Sequence, residues 1–368
     1  MADSRQLVCL DDFEARAKEI LPLPVWAYYS AGADEEITLR ENRKAYRRYW
    51  LKPRVLRDVS AIDIATTVLG ERITMPICIS PTAFHGMAHP EAEIATCKAV
   101  AEMNTIMIMS NMSNNSLEDL QAERPLSNKW QSVSLWPNRK SVEDFVGRTE
   151  RAGFKAIVVT VDGTAVGVKR RLMRLGGYAI LPISRVGNLE KFVHKDKKLR
   201  SLEGIPNDVK YTDPSVDWKD IAWLRSITKL PIILKGITSV EDAVLAAKRR
   251  IDGIIVSNHG GRNLDGTPAS IDLLSDIVDA VGDKLEVYVD GGIRTGTDVL
   301  KALALGARAV FIGRPVLYGL ACNGEEGVKE VLKILRDELS RAMALTGCCR
   351  LVDISRDHIR GSSRLSKL

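Results

Sequence analysis

The chain has 368 residues, 45% of them apolar and 27% charged, with a formal net charge of +6. No apolar stretch of about 18 residues marks a membrane span, and there is no signal-peptide pattern. The six cysteines, at 9, 78, 97, 322, 348 and 349, lack metal-ligand spacing, so no metal is expected, and Cys78 and Cys97 fall in apolar runs, as in a reducing compartment.

In chain order, residues 1 to about 70 read as a helical extension, with candidate helices over 10–30 and 34–50. Apolar runs of strand length then recur at 75–80, 105–109, 130–135, 156–161, 230–234, 253–256, 285–289 and 309–312. Short β-branched runs of this kind read as parallel strands buried on both faces. Amphipathic stretches lie between them. Ser116 with Asp119, and Ser239 with Asp242, each place an acid in a first helical turn behind a capping hydroxyl. Residues 271–281 put Ile271, Leu274, Val278 and Val281 on one helical face. Eight alternations of strand and helix predict a closed (β/α)8 TIM barrel, one domain with its barrel over 71–345 and a tail over 346–368. The chain is longer than the roughly 250 residues of a plain barrel, and no internal repeat competes with this reading.

One segment breaks the alternation. Residues 163–213, after the fourth strand, form a long insertion expected to be a mobile loop. Between 169 and 210 it carries eleven Lys or Arg against four acids, a surplus of seven, so it alone accounts for the basic balance of the chain. A basic loop over a barrel mouth can steer anionic substrates, touch an acidic membrane surface, or be a plain solvated lid. Its lack of interleaved aromatics argues against nucleic acid.

The strand ends carry the chemistry. Ser257-Asn258-His259-Gly260-Gly261-Arg262 follows the sixth strand, where barrel ligands sit, and combines a residue that exchanges protons near neutral pH with a fork that grips carboxylates. Taken alone, a His beside two glycines is commonly an ordinary loop residue. Asp290-Gly291-Gly292-Ile293-Arg294 and Gly313-Arg314 follow strands seven and eight. Paired glycine and arginine there make a phosphate site, since glycine lets backbone N–H groups approach the anion and arginine neutralises it. The chain ends Ser366-Lys367-Leu368, a peroxisomal address read by an import receptor.

With these motifs in place, the chain resembles the FMN-dependent α-hydroxy-acid oxidases, the family of glycolate oxidase and long-chain hydroxy-acid oxidase. The similarity runs nearly end to end, from Tyr28-Tyr29-Ser30-Ala31-Gly32-Ala33 through Pro81-Thr82-Ala83-Phe84 to residues 296–306, and it matches the family signature over 257–265. The resemblance implies FMN as cofactor and oxidation of an (S)-2-hydroxy acid to the 2-oxo acid, with O2 reduced to H2O2. It also implies a homotetramer. His259 would be the base that removes the hydroxyl proton, with Asp162 stabilising its imidazolium. Lys235 would offset negative charge on the reduced flavin. Tyr28 and Arg262 would hold the carboxylate. Pro81, Thr82, Ala83, Ser110, Gln131, Thr160, Ser257 and Asp290 would line the flavin, and Gly291, Gly292, Arg294, Gly313 and Arg314 would hold its phosphate.

The chain departs from the family pattern in the substrate shell. Met112 stands where a Trp is usual, and Thr164 where a Pro is usual. Strand three reads Gln131-Ser132-Val133 or, with the gap moved, Ser132-Val133-Ser134, and neither register supplies the family's tyrosine. Lys169 replaces a second substrate-facing Arg, keeping the charge but losing the bidentate fork. These changes leave an alternative, a diverged FMN-binding protein with little or no oxidase turnover, against which the retained His259, Asp162, Lys235 and Arg262 argue.

Overall fold

The computed structural model describes residues 6–123, 128–192 and 212–361. Three short strands precede the barrel: β1 (Tyr49–Leu51), β2 (Thr66–Val68) and β3 (Glu71–Ile73). The barrel itself comprises β4 (Ile77–Ile79), β5 (Met107–Met109), β6 (Lys129–Val133), β7 (Ala156–Thr160), β8 (Ile232–Ile237), β9 (Gly253–Val256), β10 (Glu286–Asp290) and β11 (Val310–Ile312). Each pairs in parallel with the next, and β11 closes on β4. This is the eight-stranded barrel read from the apolar runs.

Because side chains alternate across a strand, each strand feeds two cores. Trp130, Val158, Ile233, Ile255, Tyr288 and Phe311 fill the barrel interior, while Ile157, Val159, Leu234, Ile254 and Val256 face the outer helices. The rings of Trp130, Tyr288 and Phe311 meet with centroids 5.6 to 5.9 Å apart. The β2–β3 hairpin closes the amino end: Val68 and Ile73 join the inner core, and the Leu69 N–H donates to the Glu286 carboxylate. With that end plugged, the cavity opens at the carboxyl ends of the strands, the usual site face of this fold.

The expected caps form. Ser239 accepts from the Asp242 N–H at 3.1 Å, and Ser116 accepts from Asp119 at the same distance. The helix Ser270–Val281 buries Ile271, Leu274, Ile277 and Val281, with Val278 at the margin of that face. The extension differs more. Its first segment is two helices, Leu10–Ile20 and Leu23–Ser30, because Pro22 lacks an N–H and holds Leu21 extended. Its second is a helix over Ile37–Ala45 followed by β1, which pairs with β12 (Ile359–Gly361), so the extension and the tail meet there.

The expected mobile loop is partly built. From 163 to 192 it forms a helical turn, Arg170–Met173, and two 3-10 turns, and buries Leu172, Leu181, Ile183, Val186 and Leu189. Three of its arginines here are locally neutralised: Arg170 pairs with Asp34 and Glu35, Arg171 with Glu36, and Arg185 with Asp119 and Glu190. The remaining basic run, from Lys195 to Lys210, and the terminal Ser366, Lys367 and Leu368 lie outside the described residues. Among those described, no helix is long and apolar enough to cross a membrane.

Candidate active site

A cavity of about 780 Å³ occupies the barrel mouth, within the usual range for small-molecule sites. Its walls bring together Tyr28, Pro81, Thr82, Ala83, Ser110, Thr160, Lys169, Lys235, His259, Arg262, Asp290, Gly291, Gly292, Arg294, Gly313 and Arg314. With Ser132 and Ser134 from β6, residues from all eight strand ends, the extension and the insertion therefore converge on one space.

His259 Nδ1 lies 3.0 Å from Asp162 Oδ1, which leaves Nε2 as the ring nitrogen free to exchange a proton. The backbone that aims this ring is unusual: His259, Gly260 and Gly261 have φ of 58°, 63° and 71° in succession. Left-handed backbone is uncommon for a residue with a side chain, and holding it costs on the order of 1 kcal/mol. Gly261 is required, since a Cβ there would lie 2.6 Å from the Leu39 nitrogen. Gly236, at φ 111°, admits Asp162 in the same way, because a Cβ would sit 2.5 Å from its Cγ. Burial raises the Asp162 pKa, but the His259 charge and hydrogen bond, with help from Lys235, outweigh it and hold the carboxyl below its usual range. Asp162 is thus an anion that orients the imidazole through Nδ1.

Behind the base is a buried ion pair. Lys235 Nζ lies 3.2 Å from Asp290 Oδ2 and donates to Ser257 Oγ at 3.1 Å, while Ser80 Oγ donates to the same carboxylate at 3.0 Å. Ser257 is fully buried and does not reach the cavity; it positions Lys235 and accepts the His259 N–H. Arg262 Nη1 donates to the carbonyls of Tyr28, Tyr29 and Ala31, and its guanidinium sits 5.1 Å from the Tyr28 ring centroid. Burial pushes the Tyr28 phenol above its usual range, against the pull of Arg262, so it remains a hydrogen-bond donor.

Ser257, expected to line the flavin, does not, and three further expectations change. Gln131 does not face the cavity. Trp130 points into the aromatic barrel core, so alternation sends Gln131 to the outer face, where its amide donates to the Met109 and Ser132 carbonyls, and places Ser132 and Ser134 on the cavity wall. The shifted register is therefore the physical one. Gly292 has a second reason to be glycine: at φ 84° a Cβ would run into the carbonyl of Asn42, so the extension excludes a side chain there. Arg314 is not presented freely to an anion but donates to the carbonyls of Tyr29, Ala31 and Gly260.

Other wall residues escaped the sequence reading. Tyr178, from the insertion, packs edge-on against Tyr28 at 6.2 Å and under Lys169 Nζ at 5.8 Å. It brings an aromatic ring to a site whose strand three supplies only serines. Thr82 is held by the buried His85 at 2.6 Å, and the buried Glu93 carboxylate accepts the N–H groups of His85, Asn114 and Asn115, tying together the loops after β4 and β5. A His and a Glu eight residues apart give no sequence signal of such a link.

A barrel whose mouth joins a glycine–arginine cradle to a carboxylate-held histidine is an enzyme site built for a phosphate-bearing cofactor. The chain belongs to the FMN-dependent dehydrogenase family, whose model matches residues 17–361. It is 46% identical to 2-hydroxyacid oxidase 2 of Bos taurus over 358 residues, covering 97% of this chain and 99% of that protein. It is likewise 46% identical to a peroxisomal (S)-2-hydroxyacid oxidase of Arabidopsis thaliana, covering 96% of this chain and 97% of that one. Among solved structures, the flavin-binding domain of baker's yeast flavocytochrome b2 matches with a TM-score of 0.87 at 36% identity, over 98% of this chain and 88% of that one. A mandelate oxidase variant with (S)-mandelic acid matches equally well, at 0.87 and 35%, over 96% of this chain and 98% of that one.

The cofactor is FMN, and the residues present fit it. At the cradle, Asp290 Oδ1 and Arg294 Nε are buried without hydrogen-bond partners among the described residues, one an acceptor and one a donor, the second 3.7 Å from the Glu14 carboxylate. A Cβ at Gly313 would approach Thr82 no closer than 3.4 Å, so the backbone there stands open to the cavity.

Proposed function

We propose that this protein is a peroxisomal FMN-dependent (S)-2-hydroxy-acid oxidase that uses O2 and favours aliphatic side chains longer than that of glycolate. The observation that carries the reading is the His259–Asp162 pair, set in one cavity with Arg262 and Lys169 and backed by Lys235. FMN, when bound, supplies the acceptor for two electrons. Arg262 and Lys169 bind the substrate carboxylate and fix its orientation, which removes much of the entropic barrier. Tyr28 holds Arg262 in place and offers its phenol to the same carboxylate. His259 Nε2 takes the hydroxyl proton, and the Asp162 anion stabilises the resulting imidazolium. Lys235 contributes positive charge where negative charge develops, its own position fixed by Asp290 and Ser257. Over the cycle the substrate loses two electrons and two protons, O2 gains both, and the products are the 2-oxo acid and H2O2.

The side-chain preference follows from the wall. Met112, Ser132 and Ser134 replace bulkier groups, and Val166, Val168 and Met173 add apolar surface at the rim. Each buried methylene is worth about 0.8 kcal/mol, so two or three bound methylenes favour the longer acid by about tenfold or more. Steady-state kinetics with glycolate and 2-hydroxyoctanoate test this: kcat/KM is higher for 2-hydroxyoctanoate, and glycolate as the better substrate refutes it.

The location rests on Ser366-Lys367-Leu368 and on the peroxisomal relative. Removing those three residues leaves the protein in the cytosol, still yellow and still a homotetramer by light scattering. Unchanged import would make the tripeptide accidental, and a monomer would count against the tetramer.

A further inference from the structure

Lys169 is 5% exposed and projects into the substrate cavity. Its Nζ donates to the Gly167 carbonyl at 3.2 Å and lies 5.8 Å from the Tyr178 ring centroid, and no carboxylate among the described residues pairs with it. The nearby acids have other partners. On the extension, Asp34, Glu35 and Glu36 are taken by Arg170 and Arg171. Asp162, beneath the loop after β9, is taken by His259. What faces Lys169 is positive or neutral: Arg262 from the loop after β9, Arg314 from the end of β11, and the phenols of Tyr28 and Tyr178.

Burial and like charge both disfavour an ammonium. We infer that Lys169 is a neutral amine in the substrate-free cavity above neutral pH and takes up one proton as the substrate carboxylate binds. The inference rests on the reading above, in which Lys169 meets that carboxylate. Burial first, then Arg262 and Arg314, push its pKa down to about 7. The FMN phosphate would offset Arg314, leaving burial and Arg262 to act. An arriving carboxylate cancels the Arg262 charge and adds an opposite one, so the pKa rises in the complex. Binding is then linked to protonation, and the linkage is reciprocal. Affinity is level below the free pKa and falls tenfold per pH unit above it, until the pKa of the complex is reached. An arginine in this position would stay charged throughout and show no such dependence.

The test is calorimetric titration of the FMN-loaded protein with oxalate, which cannot reduce the flavin, at pH 6 and pH 8 in buffers of different ionisation enthalpy. The wild type takes up little proton at pH 6 and markedly more, up to one per site, at pH 8. Lys169→Arg, with its flavin spectrum unchanged, loses most of the uptake at pH 8. Uptake that persists in K169R assigns the proton to another group of the cavity and overturns the inference, as does a wild type that binds oxalate without uptake or does not bind it. A flavin that no 2-hydroxy acid reduces would sink the functional reading itself. PH-independent oxalate binding by a protein that is reduced would sink only this inference.

Discussion

Replacing His259 by alanine leaves FMN bound and slows its reduction by a 2-hydroxy acid by about 10²- to 10⁴-fold, the typical worth of a general base. The imidazole is already paired with the Asp162 carboxylate, an anion placed to stabilise its charged form. The phosphate cradle lies on other strand ends, at Gly291, Gly292 and Gly313, so cofactor affinity is separable from proton transfer. Rapid-mixing absorbance of the anaerobic variant measures both. Reduction at nearly the wild-type rate removes His259 from the mechanism, and loss of FMN would show that the loop, and not the base, had failed. Histidine tolerates the left-handed backbone at this position better than alanine, so thermal unfolding of the variant accompanies the rate measurement to separate strain from lost base catalysis.

Replacing Lys235 by methionine destabilises the fold by about 3 to 5 kcal/mol, the usual cost of stranding one member of a buried ion pair. Lys235 and Asp290 have side chains only 4% and 8% exposed, and Asp290 Oδ1 is already without a partner. Without the ammonium, the carboxylate keeps only the Ser80 hydroxyl. Adding Asp290→Asn removes the orphaned charge and recovers part of the loss. Thermal unfolding of the two variants separates the effects. A K235M protein that melts with the wild type would mean that the pair contributes nothing to the fold.

Much of this architecture was legible in the sequence because each barrel strand is a short apolar run bounded by polar residues, and because the glycines and charges cluster at strand ends. The gaps have particular causes. Pro22 ends a helix whose apolar pattern continues across it. Which face Gln131 takes was decided by Trp130 entering an aromatic cluster with Tyr288 and Phe311, partners far away in the chain. Gly292 answers partly to Asn42, in a different element, and so to packing as much as to phosphate. Tyr178 sits in an insertion with no periodicity to predict where its ring would go. What sequence periodicity specifies is local, and each of these outcomes depends on a long-range contact.

This cavity is expected to oxidise a 2-hydroxy acid by way of its bound flavin. Anaerobic titration of the purified yellow protein with 2-hydroxyoctanoate, followed by flavin absorbance, tests it most directly. Bleaching by one equivalent per bound FMN, with colour restored by air and H2O2 released, is the predicted result. A flavin that stays oxidised with 2-hydroxyoctanoate, glycolate and every other 2-hydroxy acid tried would contradict it and leave a protein that binds FMN without turnover.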